Sequence, residues 1–348
     1  MVLLLMACGK PAEVLPISPP SAFISALDLS RYPEIAQSGA VFYDQNGQAS
    51  DLLTIVKTAG VNTVRLRLWV NPPEGHSGLA EVKAFAQILR STGFKLWLTL
   101  HYSDTWADPG QQVLPAEWQN LSLEALQTQI ATYTQMVVEQ LRPEIIQIGN
   151  EINAGFLHPH GHLIQHPAQF LSLMGAAIRA VRSKAPDTAI MLHFAGLENS
   201  DWFFSQVASL DYDLIGLSYY PLWHGKDLTA LKNQLALLSA QFGKEVLIAE
   251  TAYPFTLAWN DWTNNIVGQN EQLILPDYPA SPTGQRDFML RIKSISQETS
   301  GGRGFCYWGG ELIAWQGPQA TQASPWENQA LFDFENRALP ALYAFRPE

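Results

Sequence analysis

Runs of β-forming residues alternate with helical segments along nearly the whole of this chain. The β-type runs lie near 23–29, 61–69, 94–101, 144–150, 188–194, 213–219, 244–250 and 303–308. The helical segments lie near 50–59, 79–91, 122–141, 167–184, 201–209, 227–242, 283–298 and 328–345. Strands that alternate with helices form parallel sheets, because each helix returns the chain across the sheet. Eight units of this kind predict a closed (β/α)8 TIM barrel of the α/β class.

The length of the chain fits a single barrel domain. Its 348 residues exceed the roughly 250 that a TIM barrel needs, and no repeat or low-complexity linker separates a second domain. We therefore assign residues 23–348 to one barrel. The long irregular stretch at 251–282 follows the seventh predicted strand, and loops in this position form the active-site face of TIM barrels.

The first 22 residues are expected to lie outside the barrel. They begin with Met1-Val-Leu-Leu-Leu-Met-Ala-Cys8, which resembles the lipobox of bacterial lipoproteins. The apolar run is too short to span a membrane, so we interpret 1–22 as a signal remnant followed by a lipoprotein tether. An ordinary tail with an incidental cysteine is the alternative. The first interpretation predicts a secreted or cell-surface bacterial lipoprotein with a lipid anchor at Cys8. The other cysteine, Cys306, is predicted to be a buried free thiol.

The charge pattern excludes several classes of partner. Only 15% of the residues are charged, the formal net charge is −11, and no cluster of Lys and Arg is present. A chain of this kind is a poor ligand for nucleic acid, anionic membranes or anionic polysaccharides. The 11 Trp, 11 Tyr and 16 Phe provide ring faces on which the C–H faces of sugars can pack. We predict a neutral polysaccharide as the partner, no cofactor, and a monomeric protein.

Two glutamates stand at the ends of apolar β-type runs. Glu151 ends Glu144-Ile-Ile-Gln-Ile-Gly-Asn-Glu151, and Glu250 ends Lys244-Glu-Val-Leu-Ile-Ala-Glu250. A carboxylate would lose its hydration inside a core, so each is expected where its strand emerges into a polar cleft. Retaining glycoside hydrolysis uses two carboxyl groups about 5 Å apart, one as general acid and one as nucleophile. The alternative is that each is a solvated strand end or half of a structural ion pair.

Two arginines share one face of the second predicted strand. Arg65 and Arg67 alternate with apolar residues, so both side chains are expected to point into the barrel. An arginine in that position can donate two hydrogen bonds to a carboxylate and keep its pKa low. Structural pairing with the same carboxylate is the alternative.

Five motifs occur in a fixed order along the chain. They are Gly60-Val-Asn-Thr-Val-Arg-Leu-Arg-Leu-Trp-Val-Asn-Pro72, His101-Tyr-Ser-Asp-Thr-Trp-Ala-Asp-Pro109, Gln147-Ile-Gly-Asn-Glu-Ile152 with Gly155, Gly216-Leu-Ser-Tyr-Tyr-Pro221, and Ala249-Glu-Thr-Ala-Tyr-Pro254. Together they resemble the arabinogalactan endo-β-1,4-galactanases of glycoside hydrolase family 53, a family of retaining TIM-barrel enzymes. The resemblance extends from about Phe23 to Phe345.

The resemblance implies a role for each residue of the candidate site. Glu151 would be the acid/base, which must hold a proton near neutral pH, and Glu250 the nucleophile, which must stay ionised. Asn150 would bind the sugar 2-hydroxyl, a contact that strengthens in the transition state. Trp308 would form the floor of the cleavage subsite. The other predicted substrate-binding residues are Arg65, Arg67, His101, Asp104 and Tyr219, and weaker candidates for flanking subsites are Trp106, Trp223 and Trp315.

The chain departs from this family in two places. Many members have Tyr-Trp-Glu-Pro-Ala-Trp after the eighth strand, whereas this chain has Tyr307-Trp-Gly-Gly-Glu-Leu-Ile-Ala-Trp315, which displaces Glu311. Some members tie the seventh and eighth loops together with calcium or a disulfide. The acidic residues of 251–282 are widely spaced and no cysteine pair is available, so we predict neither clasp and no metal site. A calcium site built from carbonyls and distant loops stays open. The acidic residues of this loop are Asp261, Glu271 and Asp277.

The sequence therefore predicts a bacterial endo-β-1,4-galactanase that cuts galactan side chains of pectin with retention of configuration. Two alternatives remain. One is another retaining β-glycanase of the same clan, acting on mannan, xylan or glucan. The other is a non-catalytic carbohydrate-binding barrel, against which the presence of both glutamates, Asn150 and the arginines argues.

Overall fold

A computed structural model describes residues 22–347 as a closed parallel barrel. Its eight strands are Ile24–Asp28, Thr63–Leu68, Lys95–Leu100, Ile145–Ile148, Ala189–Ala195, Leu214–Ser218, Glu245–Thr251 and Gly302–Tyr307. Neighbouring strands pair in chain order, and the first strand also pairs with the eighth, which closes the barrel. The predicted (β/α)8 fold is confirmed, and each predicted β-type run overlaps one barrel strand. The predicted anchor at Cys8 lies outside the described residues.

Helices connect the strands on the outside of the barrel. The α-helices are Tyr32–Gln37, Leu52–Ala59, Leu79–Ser91, Leu123–Leu141, Pro167–Lys184, Ser200–Gln206, Pro221–His224, Leu228–Phe242 and Pro282–Glu298. A small hairpin of Phe42–Tyr43 and Ala49–Ser50 follows the first strand. Among residues 22–347, no helix is long and apolar enough to cross a membrane.

The predicted eighth helix over 328–345 is wrong. Only two 3₁₀ turns form there, at Glu327–Gln329 and Pro340–Phe345, and the chain between them is irregular. Asn336 adopts a left-handed φ of 59°, and the Asp333 side chain accepts the backbone N–H of Arg337, so this stretch turns instead of continuing a helix. The last 3₁₀ turn packs on helix Pro282–Glu298 and covers the barrel in place of the eighth helix.

The barrel interior changes from apolar to polar along its axis. Its apolar part contains Trp97, Met191, Leu247 and Cys306, all fully buried. Cys306 is a buried free thiol, as predicted. Nearer the carboxyl ends of the strands, polar side chains fill the interior instead, and Gln147 accepts hydrogen bonds from the Trp97 indole and from Arg65. The polar side chains therefore pack directly on the apolar layer of the barrel interior, which limits their movement.

Candidate active site

The two predicted catalytic glutamates face one cleft at the carboxyl ends of the strands. Glu151 follows the fourth strand through a turn in which both Gly149 and Glu151 have positive φ. A Cβ on Gly149 would lie 2.5 Å from a methyl group of Ile152, so this turn requires glycine. Glu250 lies in the seventh strand, where the pairing with the sixth strand shifts register beside it. Irregularities of this kind change the direction of a side chain.

The spacing of the two carboxylates matches retaining chemistry. Facing atoms of Glu151, Glu250 and His193 all lie within 4.8 Å of one another. Retaining glycosidases have carboxyl groups about 5 to 5.5 Å apart, whereas inverting enzymes keep them about 6.5 to 9.5 Å apart to admit a water. The separation in this protein is therefore close to the retaining value and below the inverting range.

Glu250 receives hydrogen bonds at both carboxylate oxygens. Arg65 Nη2 donates to Oε1 at 2.7 Å, and the Tyr220 hydroxyl donates to Oε2 at 3.0 Å. Burial raises the pKa of Glu250, and the charge of Arg65 with these two hydrogen bonds opposes that rise. Arg65 also donates to Asp28 at 2.7 Å and to Asn150 at 2.9 Å, so its position is fixed from three sides. These contacts favour the ionised form of Glu250 over that of Glu151.

Glu151 has a different environment. Burial and the nearby charge of Glu250 raise the pKa of Glu151 to about 8. The Ser218 hydroxyl donates to Glu151 Oε1 at 2.5 Å, and Ser218 Oγ lies 2.9 Å from His193 Nε2. The Glu151 backbone N–H and the Gln147 amide donate to His193 Nδ1, so the His193 proton lies on Nε2 and is donated to Ser218 Oγ. Burial lowers the pKa of His193, which keeps it neutral. Glu151 is therefore suited to carry a proton at neutral pH.

Asn150 and His101 each keep one donor directed at the cleft. The Asn150 amide oxygen accepts from Arg65 and Gln147, and its nitrogen donates to the Ala107 carbonyl at 2.9 Å. Its second N–H has no acceptor among residues 22–347. His101 Nδ1 accepts from the Trp69 indole and from the Ala107 N–H, so its proton lies on Nε2. Burial and the two neighbouring arginines lower the pKa of His101, which keeps it neutral.

Arg67 does not contact either glutamate. Its guanidinium packs against the rings of both Trp69 and Trp106, 4.6 and 4.1 Å from their centres, and its Nε donates to Ser77 at 2.8 Å. It lines the cleft together with Trp308, which is half-buried and packs edge-on against Trp326 at 4.6 Å. Of the two predicted arginines, Arg65 alone holds the glutamate of the seventh strand.

The cleft consists of two connected compartments. The catalytic compartment has a volume of about 420 Å³ and is lined by both glutamates and by Ala195 at the end of the fifth strand. The second compartment, of about 330 Å³, lies beyond Trp308 and contains Glu311. The residues that line both are Asp28, Arg67, Trp106, Trp308 and Trp326.

Comparison with known proteins assigns the chain to a family. The model of glycosyl hydrolase family 53 matches residues 24–345. The chain belongs to glycoside hydrolase family 53. An arabinogalactan endo-β-1,4-galactanase from Cellvibrio japonicus is 34% identical over 94% of this chain and 91% of its own length. The catalytic domain of the family 53 protein from Ignisphaera aggregans superposes with a TM-score of 0.88 at 36% identity, over 97% of this chain and 98% of that one. A structure of fungal β-1,4-galactanases gives a TM-score of 0.81 at 29% identity, covering 93% and 99%.

Two predicted substrate-binding residues of this family 53 chain do not line the cleft. Both carboxylate oxygens of Asp104 accept backbone N–H groups, from Asn71 and Ala116, so Asp104 joins two loops. Tyr219 is fully buried and its hydroxyl donates to the Gly225 carbonyl. The next residue, Tyr220, instead reaches Glu250.

The prediction also missed residues that the structure brings to the site. Asp28 ends the first strand after four apolar or small residues, so the reasoning that identified Glu151 and Glu250 could have found it. His193 and Ser218 lie in the fifth and sixth strands, and although Ser218 belongs to the Gly216–Pro221 motif, nothing in the sequence indicates their contact with Glu151. Trp326 comes from an irregular segment, where no sequence period shows which side chains face inward.

The loops after the seventh and eighth strands meet in a buried acidic cluster. Glu327 accepts the backbone N–H groups of Asn260 and Asp261. One oxygen each of Asp261, Asn265, Glu327 and Asn328 is buried without a partner among residues 22–347. Carboxylate and amide oxygens are the ligands that Ca²⁺ prefers, so these residues offer the kind of donor atoms that a calcium ion between the two loops would need. Spacing within 251–282 does not reveal the cluster, because Glu327 and Asn328 come from the other loop.

Proposed function

We propose that this protein is an endo-β-1,4-galactanase that hydrolyses β-1,4-galactosidic bonds in galactan and type I arabinogalactan with retention of configuration. One observation carries the mechanism: facing atoms of Glu151 and Glu250 lie within 4.8 Å of each other in environments that favour different charge states. Arg65 and Tyr220 favour ionised Glu250, whereas burial and the charge of Glu250 favour protonated Glu151 and raise its pKa. The relatives from Cellvibrio japonicus and Bacillus subtilis are named as galactanases, which supports galactan over mannan, xylan or glucan.

The first step transfers the sugar to the enzyme. A carboxylate oxygen of Glu250 attacks the anomeric carbon, the bond from that carbon to the glycosidic oxygen breaks, and Glu151 gives its proton to the departing oxygen. The raised pKa of Glu151 keeps this proton available at neutral pH. Arg65 and Tyr220 hold the Glu250 carboxylate in one orientation and favour its charged form.

The second step returns the sugar to water. Glu151, now ionised, removes a proton from a water molecule that attacks the same anomeric carbon, and Glu250 departs as a carboxylate. Each step inverts the anomeric carbon, so the product keeps the configuration of the substrate. Because Glu151 has regained its proton, the enzyme is ready for another cycle.

Four neighbouring side chains are assigned to the sugar at the cleavage point. The free N–H of Asn150 would bind the 2-hydroxyl, and the Nε2–H of His101 would donate to another hydroxyl. The ring of Trp308 would form the floor, and Arg67 would reach a hydroxyl from between its two tryptophans. Charged and neutral hydrogen-bond donors then surround the sugar ring, and the C–H face of the sugar packs on the aromatic ring of Trp308.

A panel of polysaccharides tests the substrate assignment. We expect the release of reducing ends from β-1,4-galactan to exceed that from mannan, xylan and cellulose by at least about a hundredfold, because pocket contacts to hydroxyl groups discriminate strongly. Proton NMR during early hydrolysis should show the β-anomer first. Equal activity on several polymers would contradict the galactan assignment, and an α-anomer formed first would contradict retention.

We further propose that the protein is extracytoplasmic, monomeric and anchored by a lipid on Cys8. The lipobox-like sequence that ends at Cys8 supports the anchor. Expressed in a bacterium behind a complete lipoprotein signal peptide, the protein should fractionate with membranes, whereas Cys8→Ser should be soluble. A wild-type protein found entirely in the soluble fraction would contradict the anchor. Size-exclusion chromatography with light scattering tests the monomer.

A further inference from the structure

One residue that lines the second compartment has a carboxyl oxygen without a protein partner. Glu311 is only 2% exposed and lines this compartment. Its Oε1 accepts the backbone N–H of Arg31 at 3.1 Å, whereas its Oε2 is buried without a partner among residues 22–347. Buried polar atoms are almost always hydrogen-bonded, because leaving one unpaired costs free energy. A ligand hydroxyl that reaches this carboxyl group after a small rotation of the side chain would supply the missing partner.

The local sequence places Glu311 there through two glycines. Gly309 has a φ of 74°, which favours glycine, and a Cβ on Gly310 would lie 2.7 Å from a methyl group of Leu27. The chain can therefore pass close to the first barrel strand and bring Glu311 beside the cleft. This Gly-Gly-Glu sequence is where the chain departs from the pattern of the family.

The charge state of Glu311 suits a neutral ligand. Burial and the nearby charge of Asp28 raise the pKa of Glu311 to about 8, so the group is a neutral acid at pH 7. A neutral carboxyl group has one O–H donor and further acceptor capacity. Sugar hydroxyls can both donate and accept, so one hydroxyl could pair with this group without leaving a charge buried.

The position of the compartment indicates which part of the chain it would hold. Glu151 follows the fourth strand and protonates the leaving group, so the departing sugars lie on its side of the cleft, beside Ala195 at the end of the neighbouring fifth strand. Neither catalytic glutamate lines the second compartment, and its residues lie in or follow strands one, two, three and eight, which lie across the barrel from the fifth strand. Sugars there belong to the part that Glu250 captures, which is the non-reducing side of the cleaved bond. Half-buried Trp315 adds an aromatic wall on which such a sugar could pack.

We propose that Glu311 is a specificity-determining residue that hydrogen-bonds a hydroxyl of the second galactose on the non-reducing side of the cleaved bond. This inference rests on the proposed function, since it concerns the same substrate. The contact makes the activity of the enzyme depend on substrate length. A substrate with one galactose before the cleaved bond does not reach Glu311, and a substrate with two does.

Two chromogenic substrates separate these cases. An aryl β-galactoside places one sugar before the cleaved bond, and an aryl β-1,4-galactobioside places two. For Glu311→Leu we expect kcat/KM on the galactobioside to fall about tenfold or more, because one lost hydrogen bond of about 1.4 kcal/mol is tenfold. On the galactoside it should change less than about twofold. Glu311→Gln, which keeps a donor and an acceptor, should retain most of the galactobioside activity.

Three controls keep the test decisive. Glu335→Leu removes an exposed carboxylate from the same terminal segment and should change neither value. Thermal unfolding of each variant shows whether it folds, and if Glu311→Leu does not, Glu311→Ala gives the same comparison. A loss that is equal on both substrates, or absent from both, overturns the role of Glu311. A wild-type enzyme that cleaves neither the galactobioside nor galactan overturns the proposed function instead.

Discussion

The mouth of the barrel between strands four and seven differs from the segment that follows strand eight in how its buried acids are paired. Both oxygens of Glu250 and one of Glu151 have protein donors at 3.0 Å or less. After strand eight, Glu311 and Glu327 each keep one buried oxygen without a partner among residues 22–347. The protein pairs the Glu250 carboxylate fully, whereas each acid after strand eight keeps one buried oxygen unpaired.

This contrast separates two uses of buried charge. Groups that carry out chemistry must hold one geometry before the substrate arrives, so their hydrogen bonds come from the protein itself. Groups that recognise a ligand must exchange their partners on binding, so an unpaired oxygen marks where the ligand contributes. If the interpretation is correct, substitutions in the first region should change turnover, and those in the second should change substrate length dependence or ion binding.

The largest expected effect comes from the catalytic pair. Glu250→Ala and Glu151→Ala should each lower turnover on galactan by about three orders of magnitude or more, because each removes a group that contacts the reacting atoms. Added azide should rescue Glu250→Ala and give a product of inverted configuration. Glu151→Ala should keep more activity on aryl galactosides, whose leaving group needs no proton. If both variants retain more than about a tenth of the wild-type rate, the assignment is wrong.

The pH profile should show the proton on Glu151. Its pKa is raised to about 8, so it is protonated below that pH and kcat/KM on galactan should fall about tenfold per pH unit above it. An aryl galactoside with a good leaving group should lack this alkaline limb. Glu311→Gln serves as the control, because the pKa of Glu311 is also raised to about 8. If the alkaline limb disappears in Glu311→Gln, the limb reports the proton on Glu311 and not the proton on Glu151.

Trp308 lies between the two compartments and should affect both. Trp308→Ala removes the aromatic face beneath the sugar, and we expect turnover on galactan to fall more than about tenfold. If Trp308 were only a core residue, truncating it to alanine would instead lower the free energy of unfolding by about 3–5 kcal/mol. Turnover per folded molecule and the unfolding midpoint should be measured on the same variant. A large loss of stability with near-normal turnover would remove Trp308 from the site.

The fold and part of the site could be predicted because they rest on local patterns. The alternation of strand and helix runs predicted the barrel. The position of a glutamate directly after an apolar run identified Glu151 and Glu250 as candidates. The choice of Tyr219 over Tyr220 shows the limit. The sixth strand ends at Ser218, so the alternation of sides no longer applies to the residues that follow. Only the turn into helix Pro221–His224 determines that Tyr220 faces Glu250.

The region after strand eight was less predictable for a related reason. Its helical residue pattern over 328–345 suggested a helix, but turns at Asp333 and Asn336 decide the backbone there. The partners of Glu327 lie about 66 residues away in the seventh loop, as the contact with Asp261 illustrates. Contacts between two irregular segments leave no period in either sequence.

Glu311 should make stability depend on pH. Its folded pKa of about 8 exceeds the value of about 4.3 expected in the unfolded chain, so the folded state binds the proton more tightly. The resulting stability is fully present below about pH 4.3 and is lost as pH rises through about 8. Glu311→Gln does not titrate, so its unfolding temperature relative to wild type should increase from pH 5 to 8. A difference that stays constant with pH would contradict the buried neutral acid.

The smallest expected effect concerns the loops after strands seven and eight. Calcium should raise the unfolding temperature by a few degrees, because an ion held by Asp261, Glu327 and the two asparagine carbonyl oxygens binds the folded state alone. Differential scanning fluorimetry of chelator-treated protein, with and without millimolar Ca²⁺, measures the shift. Asp261→Asn and Glu327→Gln should each reduce it, whereas Glu335→Gln, an exposed control, should not. An unfolding temperature that calcium leaves unchanged would mean that these loops are joined by their hydrogen bonds alone.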